Sequence, residues 1–290
     1  MIDIIIVNFN SRDYLLKCVK SALASTVPVD VFVVDNGSED KSLSLLKSSL
    51  GTESCLHLIE NKENLGFAKA NNQALALTKA DYILFLNPDC IIKPNTIEEM
   101  IKIMESHPDA GIAGCLIRNP DGSEQAGSRR YIPTPWRSMI RVFKLSKLFY
   151  KHPEWGVLNL RGQPLPDHPV PMEAISGAFM FVRRKAMEQV GQMDEMYFLH
   201  CEDLDWCMRY HIAGWKILFV PHVEIIHKKG VCSNGRPIRV EWHKHAGMVR
   251  FYRKFFRDQY PNGLMYMVIA AVWTRFAILA IISSFKKMMK

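Results

Sequence analysis

The chain has 290 residues, 48% hydrophobic and 23% charged, with a formal net charge of +8. That length buries a sizeable core, and the mixture excludes disordered and fibrous classes. Seven cysteines, at 18, 55, 90, 115, 201, 207 and 232, follow no repeating spacing, which argues against a disulfide framework and for a reducing compartment.

No signal peptide is expected. The run Ile4-Ile5-Ile6-Val7 is too short for one, and Asp3 stands where positive charge belongs. The catalytic part is therefore expected to face the cytoplasm. Strands are predicted at Ile4–Asn8, Val31–Asp35, Cys55–Glu60, Tyr82–Leu86 and Gly111–Leu116. Helices are predicted at Tyr14–Ala24, Lys41–Ser49, Ala68–Leu77 and Thr96–Glu105. This alternation predicts an α/β fold, a mostly parallel sheet with helices on both faces. Ligands on such sheets bind beyond the carboxyl ends of the strands, so Asn8, Asp35 and Asn87-Pro88-Asp89 are expected to share one edge.

Residues 118–172 are rich in Pro, Arg and aromatics, and prolines at 120, 133, 135, 153, 164, 166, 169 and 171 break any long element. They read as an extended loop or insertion over the sheet edge. Regular patterning resumes with a strand over Ile175–Arg183, a short helix from Arg184, a longer one from Glu202 to about Ala213, and a strand over Lys216–Val220. Val240–Arg257 reads as a basic, aromatic helix, and Leu264–Phe285 as an apolar segment broken by Arg275.

Several constellations carry chemistry. In Phe85-Leu86-Asn87-Pro88-Asp89-Cys90 a buried strand delivers one carboxylate to the sheet edge, where Asp89 can ligate Mg²⁺ or Mn²⁺, although Asn-Pro-Asp is also a good turn. Glu202-Asp203-Leu204-Asp205 opens a helix. The macrodipole favours acids there, yet three carboxylates in four positions repel one another and invite a cation or polarised substrate. His227 closes the strand Val223–Ile226 and is either a satisfied polar residue or a ligand. Asp35-Asn36-Gly37-Ser38 and Asn64-Leu65-Gly66-Phe67 each lead into a helix N-terminus, where free N–H groups favour phosphate or polar nucleotide groups. Neither matches the dinucleotide fingerprint or a P-loop.

The ordered series Val7-Asn8-Phe9-Asn10, Val34-Asp35-Asn36-Gly37-Ser38, Asn64-Leu65-Gly66-Phe67-Ala68, Leu86-Asn87-Pro88-Asp89, Gly177-Ala178-Phe179, Glu202-Asp203 with Asp205, Gly214-Trp215 and His227 resembles family 2 glycosyltransferases of the GT-A fold. The likeness covers roughly residues 1–232. It implies that Asp35 accepts the N3–H of uracil or thymine while the Val7–Asn10 segment (Val7, Asn8 and Asn10) lines the base pocket. Asn64, Gly66 and Asn71 would lie along the ribose and diphosphate. Asn87-Pro88-Asp89 looks like the family's D-x-D metal motif, with Asn87 where many members have Asp. His227 would complete the metal site with Asp89. Asp203 would be the catalytic base, and Glu202 or Asp205 would orient the acceptor. The segments His227–Ser233, Glu241–His245 and Arg250–Lys254 are most similar to rhamnosyltransferases of cell-wall or lipopolysaccharide assembly. Those relatives move L-rhamnose from dTDP-L-rhamnose to a polyprenyl-diphosphate-linked saccharide. A UDP-sugar donor is the alternative within the fold.

The resemblance implies a catalytic unit over 1–235, with 118–172 on the acceptor side. Residues 236–290 follow as a basic-aromatic helix and an apolar helix. Arg275 disfavours a full span, since a mid-membrane charge costs on the order of 2.5–3.5 kcal/mol. The segment therefore reads as lying at the inner membrane's cytoplasmic face, anchored by the basic stretch and by Lys286, Lys287 and Lys290. The alternative is a helix packed on the catalytic unit or on a second copy in a homodimer. A non-catalytic nucleotide-binding scaffold would leave Asp89, Glu202, Asp203 and His227 together unexplained. Nucleic acid is not expected as a partner, because no nucleic-acid motif accompanies the charge.

Overall fold

The structure, a computed structural model, describes residues 2–142, 158–231 and 237–288. Pro153, Cys232, Ser233 and Lys290 of the sequence reading lie outside the described residues, as do the side chains of Lys286 and Lys287.

The first half alternates as its periodicity predicts. Strands β1 (Ile2–Asn8), β2 (Val29–Asn36), β3 (Leu56–Asn61) and β4 (Tyr82–Leu86) pair in parallel and are linked by helices α1 (Tyr14–Leu23), α2 (Ser42–Leu50) and α3 (Phe67–Leu75). β5 (Cys90–Ile91), α4 (Thr96–Ser106) and β6 (Ala110–Arg118) follow. Then come β7 (Arg129–Arg130), α5 (Pro135–Val142), β8 (Val170–Pro171), β9 (Ala174–Ile175), β10 (Phe179–Arg183), α6 (Arg184–Val190), α7 (Glu202–Ile212), β11 (Lys216–His227), α8 (Pro237–Phe255) and α9 (Asn262–Met288). The main sheet runs β3-β2-β1-β4-β10-β6-β11-β5, with β8 also on β11; β7 and β9 form a separate ladder.

Both faces of the sheet are covered, which explains why β1 is buried along its length and apolar except at Asp3 and Asn8. Ile5, Val7, Val34, Phe85, Met180 and Ile217 point into one core, against α3, α7 and α8. Their neighbours Ile4, Ile6, Val33, Leu84, Phe181 and Leu218 point into the other, against α1 and α4. The two-residue period of the strands thus sorts the chain into two cores.

The sheet is more mixed than the sequence suggests. β10 runs antiparallel to both neighbours, β4 and β6, while β5 and β8 run antiparallel to β11. A continuous apolar strand carries no mark of its direction, so the alternating first half predicts a mostly parallel sheet without saying which strands run the other way. The strand predicted over Ile175–Arg183 is split into β9 and β10. Between them Gly177 lets the backbone pass Asp203, where an added Cβ would lie 3.2 Å from the Asp203 Cβ. The Pro-rich stretch carries β7, α5 and β8 rather than loop alone.

The C-terminal helices continue the first core. Phe251, Tyr252 and Phe256 of the α8 region join it with Met265 and Val268 of α9. The opposite face of α9 exposes Tyr266, Met267, Ile278, Ile281 and Phe285. Among the described residues α9 is the one helix long and apolar enough to cross a membrane, with mean hydropathy 2.0 over Asn262–Phe285. Arg275, the charge that interrupts it, is exposed and reaches back to α8, where it lies 3.2 Å from His245 Nε2.

Gly114 on β6 fits beneath Ile175, whose side chain would meet a Cβ there at 2.8–2.9 Å. Gly114→Ala should therefore destabilise the chain by about 1–3 kcal/mol, read as a lower urea midpoint at unchanged slope.

Candidate active site

Register brings the expected residues to one edge. Asn8 and Asp35 are partners across β1 and β2. Asp35 is buried. Its Oδ1 accepts from Asn8 Nδ2 at 2.6 Å and its Oδ2 from the Ser38 N–H at 3.0 Å. Asn8 also donates to Ser38 and Ser42 and accepts from the Ser11 hydroxyl. Being wholly buried, Asn8 shapes the pocket by holding Asp35 rather than by lining it. Val7 beside it is largely buried. Asn10, at φ 53°, accepts the Glu39 and Asp40 N–H groups and donates its own N–H to Ser38 Oγ, which ties the loop after β1 to the loop after β2.

A second layer, invisible in the motif reading, is an amide network. Asn36 donates to Asn64 Oδ1 and to the Gly66 carbonyl, and accepts from Asn61 and the Leu65 N–H. Asn64 also receives the Gly66 N–H at 2.9 Å. Gly66 has φ 92°, and a Cβ there would stand 2.8 Å from the Phe198 carbonyl oxygen, so close backbone approach requires glycine. Asn71, expected along the diphosphate, turns its amide nitrogen back into its own helix. It is buried and donates to the Phe67 carbonyl one helical turn back.

The candidate metal pair comes from distant parts of the chain. β5 pairs with the end of β11, matching His227 with Cys90. This sets His227 Nε2 3.0 Å from Asp89 Oδ1, both residues being buried. The other ring nitrogen, Nδ1, lies 2.6 Å from Gln125 Oε1. The orientation of that amide is fixed because its Nε2 donates to the His227 carbonyl and to Asn119 Oδ1. Nδ1 must therefore carry a hydrogen. In the neutral ring, Nε2 then turns a lone pair on a carboxylate oxygen, an opposition that only a proton or a cation between them relieves. The residues fit a divalent ion: one hard carboxylate and one imidazole oriented by an amide behind it. The Asn87 Oδ1 is buried without a partner among the described residues, a spare neutral oxygen beside Asp89. Cys90 Sγ also lies within 4.8 Å of both ligand atoms, but burial pushes its thiol well up, and it donates to the Ala178 carbonyl. It suits a hard cation poorly.

The acidic helix start divides into three roles. Asp203 Oδ2 is ion-paired with Arg130 and accepts the Gly177 N–H at 3.1 Å; its side chain stays 15% exposed. Glu202 is buried with Oε2 unpartnered, and burial, reinforced by the Asp203 charge, pushes its carboxyl well above the usual range. Of the adjacent acids, then, Asp203 is matched by a cation and Glu202 holds a proton. Asp205 does not join them. It is fully buried and paired with Arg209 at 2.7 Å and Lys254 at 2.6 Å, fastening α7 to α8 instead of orienting an acceptor. His200 and Cys201, both at positive φ, aim this helix at Gly177.

Sequence reasoning missed Arg130 and Gln125. Both sit in the proline-rich stretch, where no spacing relates them to Asp203 or His227.

Glu202 also sets a pH dependence. With its folded value raised, the folded chain holds the proton more tightly than the unfolded one. Its contribution to stability is full below the unfolded value and is lost as pH rises through the folded one. Glu202→Gln should flatten the loss of stability between about pH 5 and 8 in urea titrations; an unchanged slope would contradict the buried, protonated acid.

The family model "Glycosyl transferase family 2" matches residues 3–190. The chain is 30% identical over 248 residues to the N-acetylglucosaminyl-diphospho-decaprenol L-rhamnosyltransferase of Mycobacterium tuberculosis, covering 81% of this chain and 78% of the relative. It is 31% identical over 238 residues to rhamnosyltransferase WbbL of Escherichia coli, covering 78% and 83%. Among solved structures it is similar to GalNAc-T7, crystallised with UDP, GalNAc and Mn²⁺, at TM-score 0.64 and 15% identity. That match covers 87% of this chain, which spans 47% of the GalNAc-T7 chain, and it supports the GT-A fold alone. The chain belongs to glycosyl transferase family 2.

Proposed function

We propose that this glycosyltransferase moves L-rhamnose from dTDP-L-rhamnose onto a hydroxyl of a polyprenyl-diphosphate-linked saccharide, with inversion, at the cytoplasmic face of the membrane. The observation that carries the sugar and acceptor is the similarity, over about four-fifths of the chain, to two rhamnosyltransferases, one of them named for a lipid-diphosphate acceptor. Asp35, held by Asn8 and the Ser38 N–H, offers its carboxylate to the N3–H of thymine or uracil. Asn36, Asn61 and Asn64 hold the loop from Asn64 to Gly66 beside it. Asp89 and His227 would hold Mg²⁺ or Mn²⁺, with Asn87 adjacent, and the ion would supply positive charge opposite the donor diphosphate.

Asp203 takes the proton from the attacking hydroxyl. Among the described residues its Oδ1 accepts only the adjacent Leu204 N–H, and its Oδ2 is steered by Arg130 and the Gly177 N–H. Neutral Glu202 alongside spares Asp203 a second negative charge at contact distance. Direct displacement by the deprotonated oxygen leaves the new bond with inverted configuration. The exposed apolar face of α9 and the basic stretch of α8 would rest on the bilayer that carries the acceptor.

A donor screen with dTDP-L-rhamnose and common UDP-sugars, with Mg²⁺ or Mn²⁺ and a chelator control, tests the reading. Release of dTDP dependent on metal and lipid-linked acceptor is expected; turnover of a UDP-sugar alone would replace the donor assignment. Asp203→Asn should lower turnover by about 10²–10⁴-fold while donor binding persists, and near-normal turnover would remove Asp203 from the base role. For the membrane, Ile278→Glu with Ile281→Glu should reduce co-sedimentation of the full chain with anionic vesicles. Equal sedimentation would reject the anchor.

A further inference from the structure

Three basic residues surround the acidic helix start: Arg130 pairs with Asp203, the backbone of Lys244 meets Cys201, and the Lys229 ammonium feels the charges of Lys244, Arg130 and Asp203. Arg130 is ion-paired with Asp203, and its Nε is buried with no partner among the described residues. Lys244 stands on α8 at the point where that helix meets the start of α7: its backbone carbonyl accepts from Cys201 Sγ at 3.7 Å. The helices approach this closely because Gly247 lacks a side chain. A Cβ there would sit 3.0 Å from the His200 carbonyl oxygen. Lys229 lies two residues past His227, exposed, with no ion pair among the described residues. Three acids stand nearby, and Glu241 keeps one buried carboxylate oxygen without a hydrogen bond among the described residues. Asp203 faces Arg130, Glu202 is neutral, and Glu241 lies 3.6 Å from Lys244 and 3.4 Å from His245.

The field this creates is felt at His200, whose carbonyl faces Gly247 of α8. Burial first, then the charges of Lys244 and Lys229, push His200 down to about 4 against the opposing pull of Asp203 and Glu241. Cations held this close repel one another, and a multivalent anion seated among them offsets that repulsion. A guanidinium fork and two ammonium groups match the oxygens of a phosphate ester. The same helix connects the cluster to an apolar surface. Trp242, two residues before Lys244, packs on Trp273 of α9 at 4.9 Å between ring centroids, and beyond it lies the exposed face of Ile278 and Ile281.

We infer that Lys229, Lys244 and Arg130 form a seat for the diphosphate of the acceptor, separate from the donor phosphates at Asp89 and His227. The prenyl chain leaves this seat along α8 and α9 toward the membrane. This rests on the lipid-linked acceptor proposed above. It explains why a basic helix is folded into the catalytic core instead of standing apart from it. The seat fixes the acceptor by a group common to all prenyl-diphosphate saccharides and leaves the sugar hydroxyl at Asp203.

The test is calorimetric binding of farnesyl diphosphate to the full chain in detergent, with Mg²⁺ and saturating dTDP and UDP filling the donor site. Wild type should bind, Lys229→Gln with Lys244→Gln should weaken binding at least about tenfold, and Lys185→Gln, a remote exposed charge on α6, should not. No binding by wild type, unchanged affinity in the double variant, or competition between farnesyl diphosphate and the nucleotides would overturn the seat. So would a double variant that loses affinity for phosphatidylglycerol vesicles but not for farnesyl diphosphate, which would make the cluster a headgroup patch. Binding reads no sugar transfer, so the two readings fail separately. Lysine-dependent binding without rhamnose transfer removes only the donor assignment. Transfer to lipid acceptors with the double variant unaffected removes only the seat.

Discussion

A carboxylate taken out of water needs a partner or a proton, and the site is built from five acids that meet this requirement in different ways. Asp35 is satisfied by an amide and a backbone N–H, which keeps a recognition group in place. Asp89 faces an imidazole whose hydrogen is committed elsewhere, so the pair is open to a cation. Asp203 has a guanidinium, Glu202 keeps a proton, and Asp205 is tied to two cations in the core. The roles proposed for them, base selector, metal ligand, catalytic base, neutral neighbour and strut, differ less in residue type than in what stands opposite each.

Sheet topology supplies those opposites. β10, entering antiparallel beside β4, sets Ala178 against Asn87 and Gly177 against Asp203. β11 is long enough to run along β6 and then reach β5, with an irregularity between Val220 and Glu224 where it bends. That reach carries His227 to Asp89. The C-terminal helices share the core of one sheet face, so the basic surface of α8 is fixed relative to the catalytic acids.

Much of this was legible in the sequence. Polar residues closing apolar β-branched runs mark strand ends in a covered sheet, and that alone places Asn8, Asp35 and Asp89 on one edge. The pairing of Asp89 with His227 was not, since it depends on β11 meeting β5 across a large separation; only the family resemblance pointed to it. Arg130 and Gln125 left no trace, because a proline-rich stretch has no period from which to place a side chain. Asp205 could have been read correctly. Two residues along a helix turn a side chain by about 200°, so Asp203 and Asp205 cannot face the same substrate. Asn8 and Asn71 were motif residues whose chemistry is spent inward, on Asp35 and on the Phe67 carbonyl.

The account turns most on the opposition of Asp89 and His227, and Mn²⁺ binding followed by electron paramagnetic resonance with nucleoside diphosphate present tests it directly. Wild type should bind, His227→Ala should lose most of that affinity, and Gln125→Leu, which touches no ion but frees the imidazole, should lose about 10–100-fold. Mn²⁺ bound equally well by all three proteins would contradict a metal site built on this pair.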